Sequence, residues 1–238
     1  MRPAWSPSDH SRLWRGILVA GHSWRSLWNA SIVRQAQVTG GHELPDCDEI
    51  WARYFARWYQ PDDLAGRGYS ATRPDAERSL LPGTPARAAS SLTDAGVSRV
   101  RVQVDTMLTA VLADWPTYLN VDAPLNILWI QAFDTHWTRP RVHELLGRSD
   151  PTDFSNELVV LACELGVALG EVMRAACPQL QWLYEWPYWE SGLLDVPTGY
   201  RINVFDWGIK RFSEYGIDDG YTAKVAKVAE LVGAGWGD

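Results

Sequence analysis

A Gly-His-Ser-Trp stretch near the start of the chain places Ser23 where a catalytic serine could stand, directly after an apolar run. In α/β-hydrolases such a serine occupies a strained turn between a strand and a helix, and the residue two positions later is glycine. Arg25 takes that position here, and the apolar residues of 13–32 recur at steps of three and four, which predicts one continuous helix. We therefore expect Ser23 to lie within a helix without an activated hydroxyl. A serine hydrolase that uses Ser23 is the alternative.

A second group of residues has the side-chain types that bind metal ions. Asp134 and His136 are two residues apart, and His143 and Glu144 follow shortly afterwards. The two histidines could share a helix face, but Pro140 lies between them, and proline ends or kinks a helix. We therefore expect a helix end with a capping Asp134 and surface histidines, and we predict no metal site and no cofactor.

Large aromatic side chains alternate along residues 182–189, the most unusual stretch of the sequence. The alternating positions, which a strand would place on one face, are Trp182, Tyr184, Trp186 and Tyr188. Aromatic residues at period two indicate a strand, and Pro187 indicates a sheet edge or a break. The turn and apolar residues of 195–205 predict a returning strand, so the two segments form a β-hairpin or a small antiparallel sheet.

The candidate binding surface is predicted on this hairpin. If Leu183, Ile202 and Val204 face the core, the rings on the other face need a cover that one narrow hairpin cannot supply. Trp182, at the start of the strand, is then structural. The predicted partner-facing residues combine large rings with nearby acids, and they are Trp186, Tyr188, Trp189, Glu190 and Asp195. The alternative is a hydrophobic sheet face that is buried beneath a helix.

The composition limits the kind of partner. The 238 residues carry a net charge of −7 and include 14 tryptophans, and lysine occurs only at positions 210, 224 and 227. An acidic chain without a basic run is a poor ligand for a nucleic-acid backbone, and no apolar run reaches the length of a signal-peptide core or a membrane span. We therefore expect a protein partner of neutral or basic character, no nucleic acid and no membrane. The oligomeric state stays open.

The cysteines and arginines indicate the compartment and the source. The cysteine count is odd, and Cys163 and Cys177 are about four turns apart along one predicted helix, beyond the reach of a disulfide. No disulfide is required, which favours a reducing cytoplasm. The abundance of arginine, alanine and glycine is typical of a GC-rich bacterial genome.

Helical periodicity recurs along most of the chain. Asp46 or Asp48 predicts the start of a helix that Pro61 ends, and an apolar stripe predicts a helix over 97–113. The apolar residues of 125–137 indicate a buried helix, with a strand as the alternative. Two further amphipathic helices are predicted after the sheet, over 205–216 and 218–233.

The clearest helix is predicted over 153–176 and is expected to be central to its domain, because it has little polar surface. Gly166 and Gly170 on this helix should face another backbone. One narrow polar stripe follows from acids that recur every seven residues, Glu157, Glu164 and Glu171.

Proline and glycine are concentrated in residues 64–96, which predicts a long loop or a linker. N-terminal helices precede it over 1–63, and a helical module with a small antiparallel sheet follows over 97–238. The two helical parts could also pack as one compact domain.

Residues 157–216 resemble small uncharacterised bacterial α+β proteins, some of them associated with toxin-immunity loci. The shared arrangement is a helix ending in Leu-Gly-Glu, a strand with an early tryptophan, a second strand, and a helix with Lys-Arg. It rests on Leu169, Gly170, Glu171, Trp182, Ile202, Val204, Phe205, Lys210 and Arg211. The resemblance covers about a quarter of the chain and implies a fold, without catalytic residues.

The sequence as a whole predicts a predominantly helical α+β fold with a small antiparallel sheet or hairpin in the C-terminal half. The function we expect is that of a cytoplasmic, non-catalytic binding protein, immunity-like or accessory, which uses the aromatic and acidic surface of the hairpin. An enzyme with an unrecognised pocket is the alternative.

Overall fold

A computed structural model describes residues 43–59, 90 and 92–233 of the chain. From Leu44 onward these residues belong to one compact unit. The fold is a predominantly helical α+β arrangement with a three-stranded antiparallel sheet in the C-terminal half, which confirms the predicted class. The helix predicted around Ser23 and residues 64–89 of the predicted loop lie outside the described residues, and the proposed division of the chain stays a prediction.

The described helices and strands follow one another along the chain. The helices are α1 (Cys47–Ile50), α2 (Asp94–Leu119), α3 (Ile127–His136), α4 (Arg139–Arg148), α5 (Glu157–Ala176), α6 (Val204–Lys210) and α7 (Tyr221–Gly233). The strands are β1 (Leu180–Leu183), β2 (Gly192–Asp195) and β3 (Arg201–Ile202). A π-helical segment, Trp51–Phe55, and a 3₁₀ turn, Ala56–Trp58, continue α1.

The first described helix begins where the sequence predicts it. The Asp46 side chain accepts a hydrogen bond from the Glu49 amide at 2.7 Å, and the Glu49 carboxylate accepts one from the Asp46 amide at 3.0 Å. This reciprocal pair is a capping box, and it satisfies two amides that have no partner inside the helix. The buried stripe of this segment includes Ile50, Tyr54 and Phe55.

Helix α2 is longer than its predicted range. It begins after Thr93, whose hydroxyl accepts a hydrogen bond from the Gly96 amide, so Gly96 lies in the first turn and not in a loop. It also continues past Pro116, which lacks the amide of an ordinary helical residue. The continuation follows from the buried stripe, because Trp115 and Leu119 extend it by one more turn.

Helix α5 lies at the centre of the unit and packs most closely against α6. The Asn156 side chain caps it by accepting a hydrogen bond from the Val159 amide at 3.0 Å. Gly208 of α6 lies so close to α5 that a β-carbon there would be 2.0 Å from the Ala162 carbonyl oxygen. Only glycine permits this approach of two helix backbones.

The two glycines of α5 face different neighbours. A β-carbon on Gly166 would lie 2.9 Å from the α-carbon of Phe205, so this glycine faces a backbone, as predicted. A β-carbon on Gly170 would lie 2.5 Å from the indole ring of Trp182. The prediction of a backbone contact at Gly170 is therefore wrong, since the space that it leaves holds a tryptophan side chain.

Two acids of the predicted polar stripe of α5 bind tryptophan side chains. Glu164 is 3% exposed and accepts a hydrogen bond from the Trp115 indole at 2.9 Å. Glu171 accepts one from the Trp182 indole at 2.7 Å. A buried carboxylate needs such partners, so these acids anchor tryptophans from neighbouring elements onto α5.

The sheet differs from the predicted hairpin in length and in facing. Strand β1 ends at Leu183, and Tyr188–Glu190 form a 3₁₀ turn, so the aromatic alternation does not continue as a strand. In the antiparallel register Trp182 pairs with Leu193, which pairs with Ile202, and directly paired residues share a face. Trp182 and Ile202 therefore lie on the same face, contrary to the prediction, and Leu183 lies on the other.

Candidate functional site

The segment that joins β1 to β2, residues 184–190, forms a corner that we call the Trp186 corner. Trp186 is 43% exposed there. Tyr188 is 1% exposed and Trp189 is 0% exposed, so these two rings lie in the core and not on the predicted surface. Of the three aromatic residues predicted to face a partner, Trp186 is the one that solvent reaches.

Trp189 anchors the corner to the segment after α1. Its ring meets the Phe55 ring edge-on, with centroids 5.4 Å apart. Its indole N–H donates a hydrogen bond to the Tyr59 hydroxyl at 2.9 Å, and that hydroxyl donates to the Glu190 carboxylate. The half-buried Glu190 thus ends a chain of hydrogen bonds that begins at a buried indole.

Tyr188 anchors the corner to the central helix. Its ring lies edge-on to the Phe205 ring, with centroids 6.2 Å apart, and its hydroxyl contacts the Cys163 thiol of α5. Burial raises the pKa of Tyr188 well above its usual value, and the Cys163 thiol adds to the effect. The phenol is therefore neutral at physiological pH and serves packing.

Hydrogen bonds between side chains and the backbone fix the corner on both sides of Trp186. The Glu185 amide donates to the Ser191 hydroxyl at 3.0 Å, and Ser191 is fully buried. The Ser90 hydroxyl donates to the Tyr184 carbonyl oxygen at 2.5 Å, and the Arg201 guanidinium donates to the Glu190 carbonyl oxygen. The exposed indole therefore projects from backbone that is held at several points.

Asp195, also predicted at the binding surface, is the last residue of β2 and is 1% exposed. Its carboxylate accepts a hydrogen bond from the Thr198 hydroxyl, and its carbonyl oxygen accepts one from the Gly199 amide at 2.8 Å. Gly199 has φ 77°, a left-handed conformation that favours glycine. Asp195 therefore closes the turn between β2 and β3.

A cation–π contact lies on the β1 side of the corner. The Arg101 guanidinium of α2 lies 5.4 Å from the centroid of the Tyr184 ring. Burial raises the pKa of Tyr184, and the nearby Asp105 adds to the effect. Tyr184 is only 9% exposed, whereas Arg101 and Asp105 are exposed residues of α2. Aromatic and arginine side chains of this kind are enriched in protein interfaces.

Asp134, one of the metal-ligand candidates, has a structural role. Its carboxylate accepts hydrogen bonds from Arg211 at 3.2 Å and from the Tyr221 amide at 3.0 Å. Arg211 is 2% exposed and also donates to three carbonyl oxygens, those of Asp134, Trp137 and Ile217. The arginine thereby ties the end of α3 to the connection between α6 and α7.

His136 and His143 lie on different helices, α3 and α4, as expected from Pro140. The imidazole of His136 packs on the Tyr118 ring with centroids 4.4 Å apart. Burial lowers the pKa of His136 to about 4, and Arg141 adds to the effect. Among the described residues no group of three or more histidines, cysteines or acids is placed to hold a metal ion.

A shallow, open groove of about 480 Å³ lies along α3 beside His136. Leu128, which is 50% exposed, lines it together with Leu119 and Arg141. The groove combines apolar and polar side chains. It lacks the enclosure that buries most of a small ligand.

The residues that support the Trp186 corner were missed by sequence reasoning. Tyr59 lies 131 residues from Glu190, and Ser90 lies 94 residues from Tyr184. Contacts over such separations leave no periodic pattern, and a tyrosine or serine at these positions has no distinguishing signal. Arg211 was singled out only as part of a resemblance, without its buried role.

No protein-family model, curated protein or solved structure matches the chain. Within the described part of the chain, none of the helices combines the length and the apolar character needed to cross a bilayer. Cys47, Cys163 and Cys177 all lie within the described residues, and none of them forms a disulfide.

Proposed function

We propose that this chain is a non-catalytic binding protein, immunity-like or accessory, that recognises a protein partner through the Trp186 corner. The observation that carries the proposal is one large ring, 43% exposed, on backbone that neighbouring side chains hold in place. Tryptophan is the residue most typical of binding hot spots, where a few anchors supply most of the affinity.

The rigidity of the corner supports this role because binding costs free energy whenever mobile groups become ordered. Tyr188 and Trp189 follow Trp186 directly and are buried. The corner therefore keeps its shape with or without a partner, and little ordering cost reduces the affinity that the indole supplies.

The charge of the chain limits the partner. With a net charge of −7, the chain attracts basic surfaces and repels acidic ones, so a neutral or basic partner is favoured. A partner that offers an apolar pocket with a basic rim fits Trp186 together with the half-buried Glu190. The three cysteines form no disulfide, which favours a reducing cytoplasm as the compartment of this encounter.

Site-specific photocrosslinking in the source organism tests the proposal. A benzophenone amino acid replaces Trp186 in one variant and Val196, which is 50% exposed in the turn after β2, in a control variant. We expect a defined protein to be crosslinked from position 186 and not from position 196. Unlabelled wild-type chain should suppress that product by competition.

The Trp186→Ala chain, checked for an unchanged circular dichroism spectrum, should compete poorly for the crosslinked protein. Equal crosslinking from both positions, or equal competition by the Trp186→Ala chain, would contradict a binding role for this corner.

A further inference from the structure

Two of the three lysines of the chain meet at a single carboxylate oxygen. The side-chain nitrogen of Lys210, at the end of α6, lies 2.9 Å from Oδ2 of Asp219, and that of Lys224, on α7, lies 2.7 Å from the same atom. The two ammonium groups are therefore close enough for one small anion to contact both. Each lysine side chain is 22% exposed, so solvent reaches part of each one.

The charges of this lysine pair are not balanced. One carboxylate, Asp219, faces two ammonium groups. The neighbouring acids Glu214 and Asp218 pair with Arg139 instead. Burial lowers the pKa of Lys224, and the positive charge of Lys210 contributes to the lowering. A second anion would relieve this repulsion between like charges.

Donors remain available at the pair. An ammonium group has three N–H donors, and each of these two groups uses one on Asp219. Asp219 holds the two groups from one side, while their exposed fraction faces solvent. A tetrahedral oxyanion suits this arrangement, because it presents several oxygens that can accept from two ammonium groups at once.

Aromatic rings surround the lysine pair. The side-chain nitrogen of Lys210 lies 3.8 Å from the centroid of the Tyr215 ring, and that of Lys224 lies 4.5 Å from the centroid of the Tyr221 ring. Tyr221 is fully buried, whereas Tyr215 is 71% exposed. An exposed ring beside an oxyanion position is a surface on which a planar group attached to that anion can stack.

We infer that Lys210 and Lys224 form a second binding site, independent of the Trp186 corner, for a phosphate monoester whose planar group stacks on Tyr215. The two ammonium groups bind the phosphate oxygens, and Asp219 positions the ammonium groups. Adenosine monophosphate is a suitable probe of this chemistry, with inorganic phosphate and adenosine as its two halves.

The small number of lysines makes the test direct. A chain labelled with ¹³C at the lysine ε-carbon gives three signals, from Lys210, Lys224 and Lys227. Lys227 pairs with Glu230 on the exposed side of α7 and serves as the internal control. Titration of the wild-type chain with phosphate or adenosine monophosphate should shift the first two signals and leave the third in place. Phosphate should also raise the pKa of Lys224.

Variants distinguish the two halves of the site. Lys210→Met and Lys224→Met should each weaken binding of adenosine monophosphate by about tenfold or more, and Lys227→Met by less than about twofold. Tyr215→Ala should weaken binding of adenosine monophosphate and leave binding of inorganic phosphate unchanged.

Three results would overturn the inference. The first is the absence of any shift with millimolar phosphate at low salt, and the second is an equal shift of all three lysine signals. The third is equal affinity for adenosine monophosphate and inorganic phosphate in the wild-type chain, which would remove the stacking role of Tyr215. The wild-type titration needs no variant, so a lysine variant that fails to fold leaves the test intact.

Discussion

Replacement of Gly208 by alanine tests the close packing of α6 against α5. The added β-carbon would lie 2.0 Å from the Ala162 carbonyl oxygen and 3.2 Å from the Gly166 amide nitrogen. All of these groups belong to the backbones of α5 and α6, so neither helix can relieve the contact by moving a side chain. The helices must separate, and α6 must give up part of its packing against α5.

The size of the effect follows from two opposing terms. Alanine is favoured over glycine inside a helix by about 1 kcal/mol. Overpacking of a rigid core costs about 1–3 kcal/mol and occasionally more, and a backbone contact belongs at the upper end. We therefore expect Gly208→Ala to lower the free energy of unfolding by about 2 kcal/mol or more, after the helix preference is subtracted.

Two matched glycine-to-alanine substitutions serve as comparisons for Gly208→Ala. A β-carbon on Gly170 would meet the half-buried Trp182 ring, which can shift, so Gly170→Ala should cost less than Gly208→Ala. A β-carbon on Gly147 of α4 would have no neighbour within 4 Å, so Gly147→Ala should stabilise the chain by up to about 1 kcal/mol.

Urea unfolding followed by far-ultraviolet circular dichroism measures all three variants without relying on tryptophan fluorescence, which the movement of Trp182 would alter. The expected order of stability is Gly147→Ala, wild type, Gly170→Ala, Gly208→Ala, with equal m values. If Gly208→Ala unfolds at the midpoint of Gly147→Ala, the close approach of α5 and α6 is wrong.

Three further predictions concern residues that the sequence singled out. Trp189→Ala should lower the free energy of unfolding by about 3–5 kcal/mol in the same assay, because the ring is fully buried. Trp186→Ala should lower it by less than about 2 kcal/mol, because the ring is 43% exposed. Similar losses for the two variants would contradict the assignment of Trp189 to the core and Trp186 to the surface. Burial lowers the pKa of His136 to about 4, against 6.5 for the ordinary group, so protonation of this side chain opposes folding. The neutral imidazole contributes about 1–3 kcal/mol to the free energy of unfolding above pH 6.5, and this contribution is lost as the pH falls from 6.5 to 4. His136→Phe should therefore flatten the acid limb of the stability curve, and an unchanged limb would show that His136 titrates normally. Ser23 should not react with a fluorophosphonate probe, and labelling that disappears in Ser23→Ala would reinstate the hydrolase alternative.

Helix positions could be predicted from the sequence where burial repeats with the helical period. Val104 and Val111 of α2 and Val225 and Val232 of α7 are buried as their spacing predicts. The end of α2 could not be predicted in this way, because a proline at position 116 is a strong local signal for a break. The packing of Trp115 against Glu164, 49 residues away, outweighs that signal.

The sheet and the candidate site were harder to predict because both depend on register. Alternation of aromatic residues fixes which residues share a face only while a strand continues, and β1 ends at Leu183. Beyond that point the exposure of Trp186 and the burial of Trp189 depend on distant partners. One of these is Tyr59, which lies 130 residues from Trp189 and has no periodic relation to it.

The measurement that tests the central claim most directly is the affinity of the protein crosslinked from position 186 for four versions of the chain. These are the wild type, Trp186→Ala, Val196→Ala and Trp182→Phe, each with its fold verified. If Trp186 is the anchor of the interface, Trp186→Ala raises the dissociation constant by about thirtyfold or more, which corresponds to about 2 kcal/mol, and the other two substitutions leave it within about twofold. A Trp186→Ala chain that binds as tightly as the wild type would contradict the account.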